Sequence, residues 1–208
     1  MLNELITRYP VLESAKEQIV EARDAIIECY KNGGKLLLCG NGGSCADCDH
    51  IVGELMKGFL KLRPLSEEKK KAMKEKCELI DDDILSKLQE ALPAVSLPSI
   101  TALNSAFCND VDPELIYAQP LMSLGREEDI LIAISTSGNS KNVFGAVKVA
   151  KALGVKVIGL TGNTGGKLKD AADICICVGE KETFKIQELH LPVYHYLCAA
   201  VEDEFFNS

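Results

Sequence analysis

Short apolar runs alternate with amphipathic segments along the whole chain. Five runs consist almost entirely of apolar side chains and lack the alternation of a half-exposed strand; they lie at 35–39, 93–97, 129–135, 155–161 and 173–178. Helical spacing of apolar residues marks 11–30, 44–59, 139–154, 167–172 and 184–205, the last with an expected kink at Pro192. Strands that are apolar on both faces are typical of parallel sheets covered by helices. The pattern therefore predicts an α/β fold, a three-layer doubly wound sandwich with a five-stranded parallel sheet.

One charged segment interrupts this alternation. It includes the run SEEKKKAMKEKCELIDDDILSKLQEAL, in which charges of both signs dominate. Mixed charge runs of this kind are usually solvated helix faces. We therefore expect a single domain, residues 1–208, with a charged helical insertion of one or two exposed helices at about 60–92.

Composition narrows the class of protein. The chain has 208 residues, of which 47% are hydrophobic and 26% charged, and its formal net charge is −8. This profile is typical of a soluble globular protein, and the negative charge disfavours nucleic acid and anionic membranes as partners. No apolar run is long enough to span a bilayer, and the first residues lack the hydrophobic block of a signal peptide. The nine cysteines are expected to be reduced thiols, so we expect a cytoplasmic protein.

Doubly wound sheets bind ligands beyond the carboxyl ends of their strands, so the chemistry is expected in the loops that begin at Gly40, Ser135 and Thr161. The first loop reads GNGGS. It does not match a dinucleotide-binding motif, because Cys45 stands where the third glycine belongs, and we expect no nucleotide cofactor. The glycines instead let the backbone approach a ligand closely, ahead of the unpaired N–H groups of the next helix. A plain tight turn is the alternative.

The second loop, STSGNS at 135–140, suits an anion. Its four hydroxyl groups and the amides at the start of the following helix can donate hydrogen bonds to a phosphate monoester, and the helix dipole favours the negative charge. No lysine follows the glycine as it would in a nucleoside triphosphate loop. Ordinary capping of the helix by serine and threonine is the alternative for one such loop.

Cysteine and histidine residues outside these loops have several interpretations. Cys45 and Cys48 form a C-x-x-C pattern at a helix start, where a redox pair or half of a zinc site is an alternative to packing. The chain has no second C-x-x-C to complete a four-thiolate site, which favours packing. Cys175 and Cys177 alternate on one strand and indicate packing, and His190 indicates helix packing or a subunit contact.

Four segments taken together resemble the sugar isomerase (SIS) domain family, and within it the phosphoheptose isomerases: CGNGGS…DHIVGEL, AISTSGNSKNV, VIGLTGNTGGKL and KIQELHLPVYH. The similarity runs in order through nearly the whole chain apart from the charged insertion. It implies a flavodoxin-like SIS fold, a homotetramer whose active sites lie between subunits, and a phosphorylated sugar as substrate. The implied reaction converts sedoheptulose 7-phosphate to D-glycero-D-manno-heptose 7-phosphate.

The resemblance also implies roles for individual residues. Glu54 and His195 take the acid/base positions of the family. Positions expected to bind substrate are Asn41, Gly42, Gly43, Ser44, Asp110, Ser135, Thr136, Ser137, Ser140 and Gln187. In members that bind zinc, the ligands fall on His50, Glu54, Gln187 and His195, which implies one zinc ion per active site.

Interconversion of a ketose and an aldose explains why these residue types are needed. One proton moves between neighbouring carbons through an enediol and another between their oxygens, which a carboxylate and an imidazole can carry out together. His50 and Glu54 are four residues apart and share a helix face, whereas Gln187 and His195 are eight apart, about 80° around a helix. Two nitrogen and two oxygen ligands suit zinc. A metal-bound Glu54 is a weakened base, so base and ligand are competing descriptions unless the carboxylate detaches during turnover.

Two positions depart from the family pattern. Gly58 stands where the family has a substrate-contacting arginine, and Phe184 where it has a substrate-contacting aspartate. Lys57 or Lys61 could substitute for the arginine, without its bidentate geometry. The substrate could therefore be another ketose phosphate. A non-catalytic SIS protein that binds sugar phosphates as a regulator or assembly factor is the alternative function, which retention of the acid/base pair disfavours.

Overall fold

Five parallel strands form one sheet in the computed structural model, which describes residues 1–206. The strands are β1 (Leu36–Gly40), β2 (Ala94–Ser96), β3 (Ile130–Ile134), β4 (Lys156–Thr161) and β5 (Ile174–Cys177). Their order across the sheet is β2-β1-β3-β4-β5, and every neighbouring pair is parallel. This is the flavodoxin-like order, with the reversal of strand order at β1 and β3. The predicted fold class is confirmed.

The apolar runs lack alternation because both faces of the sheet are covered. All five residues of β1 are buried, as are all five of β3. Leu36 and Leu38 of β1 belong to one hydrophobic core, whereas Leu37 and Cys39 belong to the other. Successive side chains of a strand point to opposite faces, so each strand contributes to two cores.

Helices cover the sheet in two layers. One core includes residues of α1 (Leu2–Arg8), α2 (Lys16–Lys31), α3 (Gly43–Met56) and α10 (Thr183–Phe205). The other core includes residues of α7 (Ala118–Leu124), α8 (Lys141–Ala152) and α9 (Gly166–Ala171), and α6 (Thr101–Asp110) precedes α7. The helices α3 and α10 therefore lie on the same face of the sheet. Within residues 1–206, no helix combines the length and the apolar character that crossing a membrane requires.

The first predicted helix differs from the observed one. A 3₁₀ helix occupies Pro10–Ala15 and the α-helix begins only at Lys16. Pro10 lacks a backbone N–H, and its ring disfavours a helical conformation of Tyr9, so the chain breaks there between α1 and the 3₁₀ helix. The closing helix lies within one residue of its predicted limits and runs through Pro192 as one element.

The charged segment forms two short helices. They are α4 (Glu67–Lys76) and α5 (Asp82–Lys87), whose first turns are capped by the side chains of Ser66 and Asp81. All residues of α4 are exposed or half-buried, which is why their charges need no buried partners. An antiparallel bridge joins Pro64 to Gln89 and closes the base of the segment.

Candidate active site

The loops at the carboxyl ends of β1 and β3 form a cavity of about 280 Å³ with the start of α10. It is lined by Asn41, Gly42, Gly43, Ser44, Ile134, Ser135, Thr136, Ser140, Thr183 and Gln187. These loops meet because β1 and β3 are neighbours in the sheet and end at the same edge. The strand order thus places both predicted ligand loops in one cavity.

The loop after β3 turns its hydroxyl groups toward the amino end of α8. The Oγ atoms of Ser135 and Ser140 lie 2.9 Å apart, and Ser140 is the last residue before the helix. Gly138 has φ 66°, and an added Cβ there would collide with the carbonyl oxygen of Gly165. A glycine is therefore required for the close approach of this loop to the loop after β4. Paired hydroxyls in front of unpaired helix N–H groups are suited to an anion.

The loop after β1 brings Gln187 into the cavity. A Cβ added at Gly43 would lie 2.5 Å from the Nε2 atom of Gln187, so the glycine leaves room for that amide. Behind the loop, the hydroxyl of Tyr117 lies 2.8 Å from the carbonyl oxygen of Gly40 and 2.9 Å from Oδ1 of Asn41. The Asn41 amide also bonds Asn142 at the start of α8. These contacts fix the two loops relative to each other.

A second group of polar side chains lies between α3 and α10. The Nε2 atom of His50 is 3.1 Å from Oε1 of Glu54 and 3.5 Å from Nε2 of His195. The ammonium group of Lys57 donates to Oε2 of Glu54 at 3.2 Å. These four residues, together with Tyr194 and Asp47 described next, are called the acid/base cluster below.

Two further residues orient His50. Its Nδ1 atom lies 3.0 Å from the hydroxyl of Tyr194, which donates to Oδ1 of Asp47 at 3.2 Å. Burial raises the pKa of Asp47, and the hydrogen bond from Tyr194 opposes this in part. Burial lowers the pKa of His195, and the neighbouring His50 lowers it further. A neutral imidazole is therefore available as a base near neutral pH.

The cavity lies at the amino ends of α3 and α10, and the acid/base cluster lies further along both helices. Gln187 lines the cavity and His195 belongs to the cluster, and the two are eight positions apart on α10, a rise of about 12 Å. Ser44 lies in the first turn of α3 and Glu54 in its last. This spacing suits an extended molecule with an anionic group at one end and a reactive group at the other.

Comparisons with known proteins agree with this arrangement. Two family models described as SIS domain match residues 3–89 and 102–199. The chain is 36% identical to a phosphoheptose isomerase of Roseiflexus and 38% identical to one of Helicobacter pylori, in each case over 95% of this chain and 87% or 89% of the relative. This chain belongs to the phosphoheptose isomerase family.

Solved structures of the family superpose over the whole fold. The phosphoheptose isomerase of Neisseria gonorrhoeae matches with a TM-score of 0.74 and 32% identity, covering 96% of this chain and 94% of that one. The enzyme of Francisella tularensis matches with the same TM-score at 30% identity, covering 97% and 98%. The predicted relationship to the SIS domain family is confirmed.

Most of the predicted site residues lie in the cavity or the cluster. Two do not. Ser137 is exposed at the outer edge of its loop, where its Oγ accepts a hydrogen bond from the backbone N–H of Asn139. Asp110 is the exposed last residue of α6, and its carboxylate accepts from the side chain of Asn109. Their roles in binding stay predictions.

The two departures from the family pattern have a structural basis. Gly58 donates its backbone N–H to Oε1 of Gln89 at 2.6 Å, and an added Cβ would collide with the carbonyl oxygen of Lys61. The chain therefore excludes an arginine side chain at this position without a local shift. Lys57 places an ammonium group beside Glu54. The side chain of Phe184 is exposed next to Thr183 of the cavity.

The donor atoms of the cluster suit a metal ion only in part. His50, Glu54 and His195 present two nitrogens and a carboxylate, which is zinc chemistry, with separations near the edge of a zinc tetrahedron. Within residues 1–206, however, no three His, Cys, Asp or Glu side chains are arranged so that they could hold a metal ion together. The predicted fourth ligand, Gln187, lies at the cavity.

Sequence reasoning missed Asp47, Tyr194, Tyr117 and Asn142. Two of them had a signal that could have been used. Asp47 precedes His50 by three residues on α3, one face of the helix, and Tyr194 adjoins His195. Tyr117 and Asn142 contact the first loop from distant parts of the chain, which no local pattern indicates.

Proposed function

We propose that this protein interconverts sedoheptulose 7-phosphate and D-glycero-D-manno-heptose 7-phosphate, an aldose–ketose isomerisation. One observation carries the proposal. The anion cavity lies at the amino ends of α3 and α10 and the acid/base cluster lies further along both helices, which suits a sugar whose phosphate and reacting carbons are at opposite ends. Membership of the phosphoheptose isomerase family supports the same reaction.

In this proposal, the serine loop binds the phosphate of the sugar, and the acid/base cluster transfers the protons of the isomerisation. Hydroxyls of Ser135 and Ser140 and the first amides of α8 hold the phosphate. Glu54 removes the proton from the carbon beside the carbonyl and returns it to the carbonyl carbon. His195 moves a proton between the oxygen atoms on these two carbons. Lys57 stabilises negative charge that develops on the enediol oxygens. Tyr194 and Asp47 hold His50, and thereby the side chain of Glu54, in place.

Exchange of substrate hydrogen with solvent tests the reaction directly. In deuterated water, the wild-type enzyme is expected to introduce deuterium at the carbon next to the carbonyl. Glu54→Gln and His195→Ala should each lower kcat about 100-fold or more, the scale of a lost acid/base group. Glu68→Gln, on exposed α4, is the matched carboxylate control and should retain full activity. A fully active Glu54→Gln would refute the mechanism, and tight binding without exchange in the wild type would favour the non-catalytic regulator.

We also propose that each site binds one zinc ion. His50, Glu54 and His195 would hold it after His50 turns from Glu54, and the Glu54 carboxylate would have to detach from the ion during turnover to act as the base. Gln187 lies about 12 Å along α10 from His195, so it would be a ligand only through its copy in another subunit. When bound, the ion would polarise a sugar oxygen. Metal analysis of the purified protein should find one equivalent of zinc, and His50→Ala should lose it. Equal metal content in both proteins would exclude this ligand set.

A homotetramer with active sites between subunits completes the proposal. A groove of about 390 Å³ includes His195 and is lined by residues of α1, α10 and the turn after α3. Most of them are apolar, including the exposed Leu60 and Leu191, and Glu4 and Arg8 are charged. Apolar side chains beside an active site are suited to contact with another subunit. Sedimentation equilibrium should give four times the mass of the chain, and a monomer would contradict this part of the proposal.

A further inference from the structure

A fully buried ion pair lies behind the acid/base cluster. The side chains of Arg63 and Glu202 are 0% and 1% exposed, and both Nε and Nη2 of Arg63 lie 2.8 Å from Oε1 of Glu202. The two residues are far apart in sequence and belong to different elements, since Arg63 follows α3 and Glu202 is in α10. Buried charges persist in proteins when they are paired and hydrogen-bonded, which is the case here.

Glu202 binds the turn that follows α3. Its carboxylate accepts hydrogen bonds from the backbone N–H groups of Phe59, Leu60 and Lys61, at 2.8, 2.7 and 3.1 Å. These three amides and the guanidinium of Arg63 saturate both carboxylate oxygens. The turn between α3 and the insertion is therefore attached to α10 by one side chain.

Arg63 binds the carboxyl end of α3 itself. Its Nη1 donates to the carbonyl oxygen of Leu55 at 2.7 Å, and its Nη2 to that of Glu54 at 3.3 Å. The last carbonyl groups of a helix have no partner within it, and a cation there also interacts favourably with the helix dipole. The guanidinium thus contacts the backbone of the residue whose side chain carries the carboxylate of the cluster.

The ion pair joins the backbone of Glu54 to α10, the helix that carries His195. Glu202 follows His195 by seven residues, which is two turns of α10 on nearly the same face and a rise of about 10 Å. A chain of hydrogen bonds therefore leads from the backbone of Glu54 through Arg63 and Glu202 to the helix that carries His195. A shift of about 1 Å between catalytic groups can lower a rate by about two orders of magnitude.

We propose that Arg63 and Glu202 are positioning residues that fix Glu54 relative to His195 and thereby set the turnover rate. The proposal rests on the proposed isomerase function. The phosphate cavity lies at the other ends of α3 and α10, so loss of the pair should change kcat and leave substrate binding almost unchanged. If the pair had only a structural role, its loss would lower the stability of the protein and leave kcat unchanged.

The chain contains a matched ion pair far from the site. Asp129, 2% exposed, accepts from the ammonium group of Lys35 at 2.6 Å and from the backbone N–H groups of Lys35 and Arg126. Like the Arg63–Glu202 pair, the Lys35–Asp129 pair joins a buried carboxylate to a cation and to backbone amides. It lies at the amino ends of β1 and β3, the edge of the sheet opposite the cavity, and Lys35→Met is therefore the control.

Three variants separate positioning from stability. Arg63→Met leaves Glu202 buried without its cation, so both Arg63→Met and Lys35→Met should lower the midpoint of urea unfolding. Arg63→Met should lower kcat about 10- to 100-fold with KM within about twofold, whereas Lys35→Met should keep both constants. The double variant Arg63→Met/Glu202→Gln removes both charges and should recover stability relative to Arg63→Met, because no unpaired charge stays buried. Its kcat should remain low.

The outcomes distinguish a failure of the positioning role from a failure of the proposed isomerase function. If the wild type does not isomerise the sugar phosphate, the function itself fails. If the wild type is active and the double variant regains the wild-type kcat together with stability, the positioning role is refuted. Equal losses of kcat in Arg63→Met and Lys35→Met would also refute it. Should Arg63→Met fail to fold, the double variant alone decides, since its kcat is compared with that of the wild type.

Discussion

Buried His190 illustrates how one residue type serves different purposes in the same helix. His195 lies in α10 beside polar partners, whereas both ring nitrogens of His190 are buried without a hydrogen-bond partner among the described residues. Burial lowers the pKa of His190 to about 4, and the nearby backbone of Thr161 opposes this in part. The ring is therefore neutral and acts as part of the packing.

The pH dependence of stability tests this assignment. The pKa of His190 is about 4 in the folded chain and near its ordinary value of 6.5 when unfolded. Between these values the unfolded chain binds the proton, so stability is complete above about pH 6.5 and declines toward pH 4, by about 3 kcal/mol at most. Urea unfolding of the wild type and His190→Leu should show the larger decline in the wild type. Parallel curves would contradict the assignment.

Gly43 is the second residue whose role can be isolated. In Gly43→Ala the new methyl group displaces the Gln187 amide, the movable end of a side chain, so the fold should tolerate it while KM for the sugar phosphate rises several-fold. Gly53→Ala is the control within the same helix, because an added Cβ there meets nothing within 4 Å. It should stabilise α3 by about 1 kcal/mol without changing KM. An unchanged KM in Gly43→Ala would remove Gln187 from the binding site.

At the scale of elements, the acid/base cluster belongs to α3 and α10, and the insertion stands apart from it. The helices α4 and α5 contribute no residue to the two hydrophobic cores of the described chain. Among the residues of α4 and α5, Leu85 is the one that is buried, at 1% exposed. The bridge between Pro64 and Gln89 brings the two ends of the insertion together, so the segment resembles a long hairpin tip.

The insertion should therefore be removable. Replacing residues 66–87 by Asn-Gly joins the two bridged ends with a short turn. We expect a folded, active enzyme whose unfolding free energy falls by about 2 kcal/mol, the contribution of one buried leucine. Leu85→Ala in the full-length chain controls for that side chain. Loss of the far-UV circular dichroism signal or of turnover would show that the insertion contributes to the fold or the site.

At the scale of the whole molecule, the strand order decides where chemistry occurs. Because β1 and β3 are neighbours although β2 lies between them in sequence, the loops after β1 and β3 converge on one cavity. The amino ends of these strands carry the Lys35–Asp129 pair, which lies away from the cavity. The loops of the cavity thus lie at the carboxyl ends of the strands and the ion pair at their amino ends, and ligands of doubly wound folds bind at the carboxyl ends.

Local patterns in the sequence determined a large part of this protein. Apolar runs without alternation predicted the buried strands, the glycine and serine loops predicted the ligand-binding edge, and the spacing of His50 and Glu54 placed both on one helix face. Each of these features depends on neighbours within a few residues, because the geometry of a helix, strand or turn is set locally.

Tertiary structure alone decided how the pieces meet. The contacts of Gln187 with Gly43, of Tyr194 with His50 and of Arg63 with Glu202 join segments more than a hundred residues apart. The sequence around these residues does not identify their partners, because a hydrogen bond between distant segments depends on strand order and helix packing. The exposed position of Ser137 likewise came from the backbone path. The sequence determined the groups that do the chemistry, and the packing of α3 against α10 determined their distances.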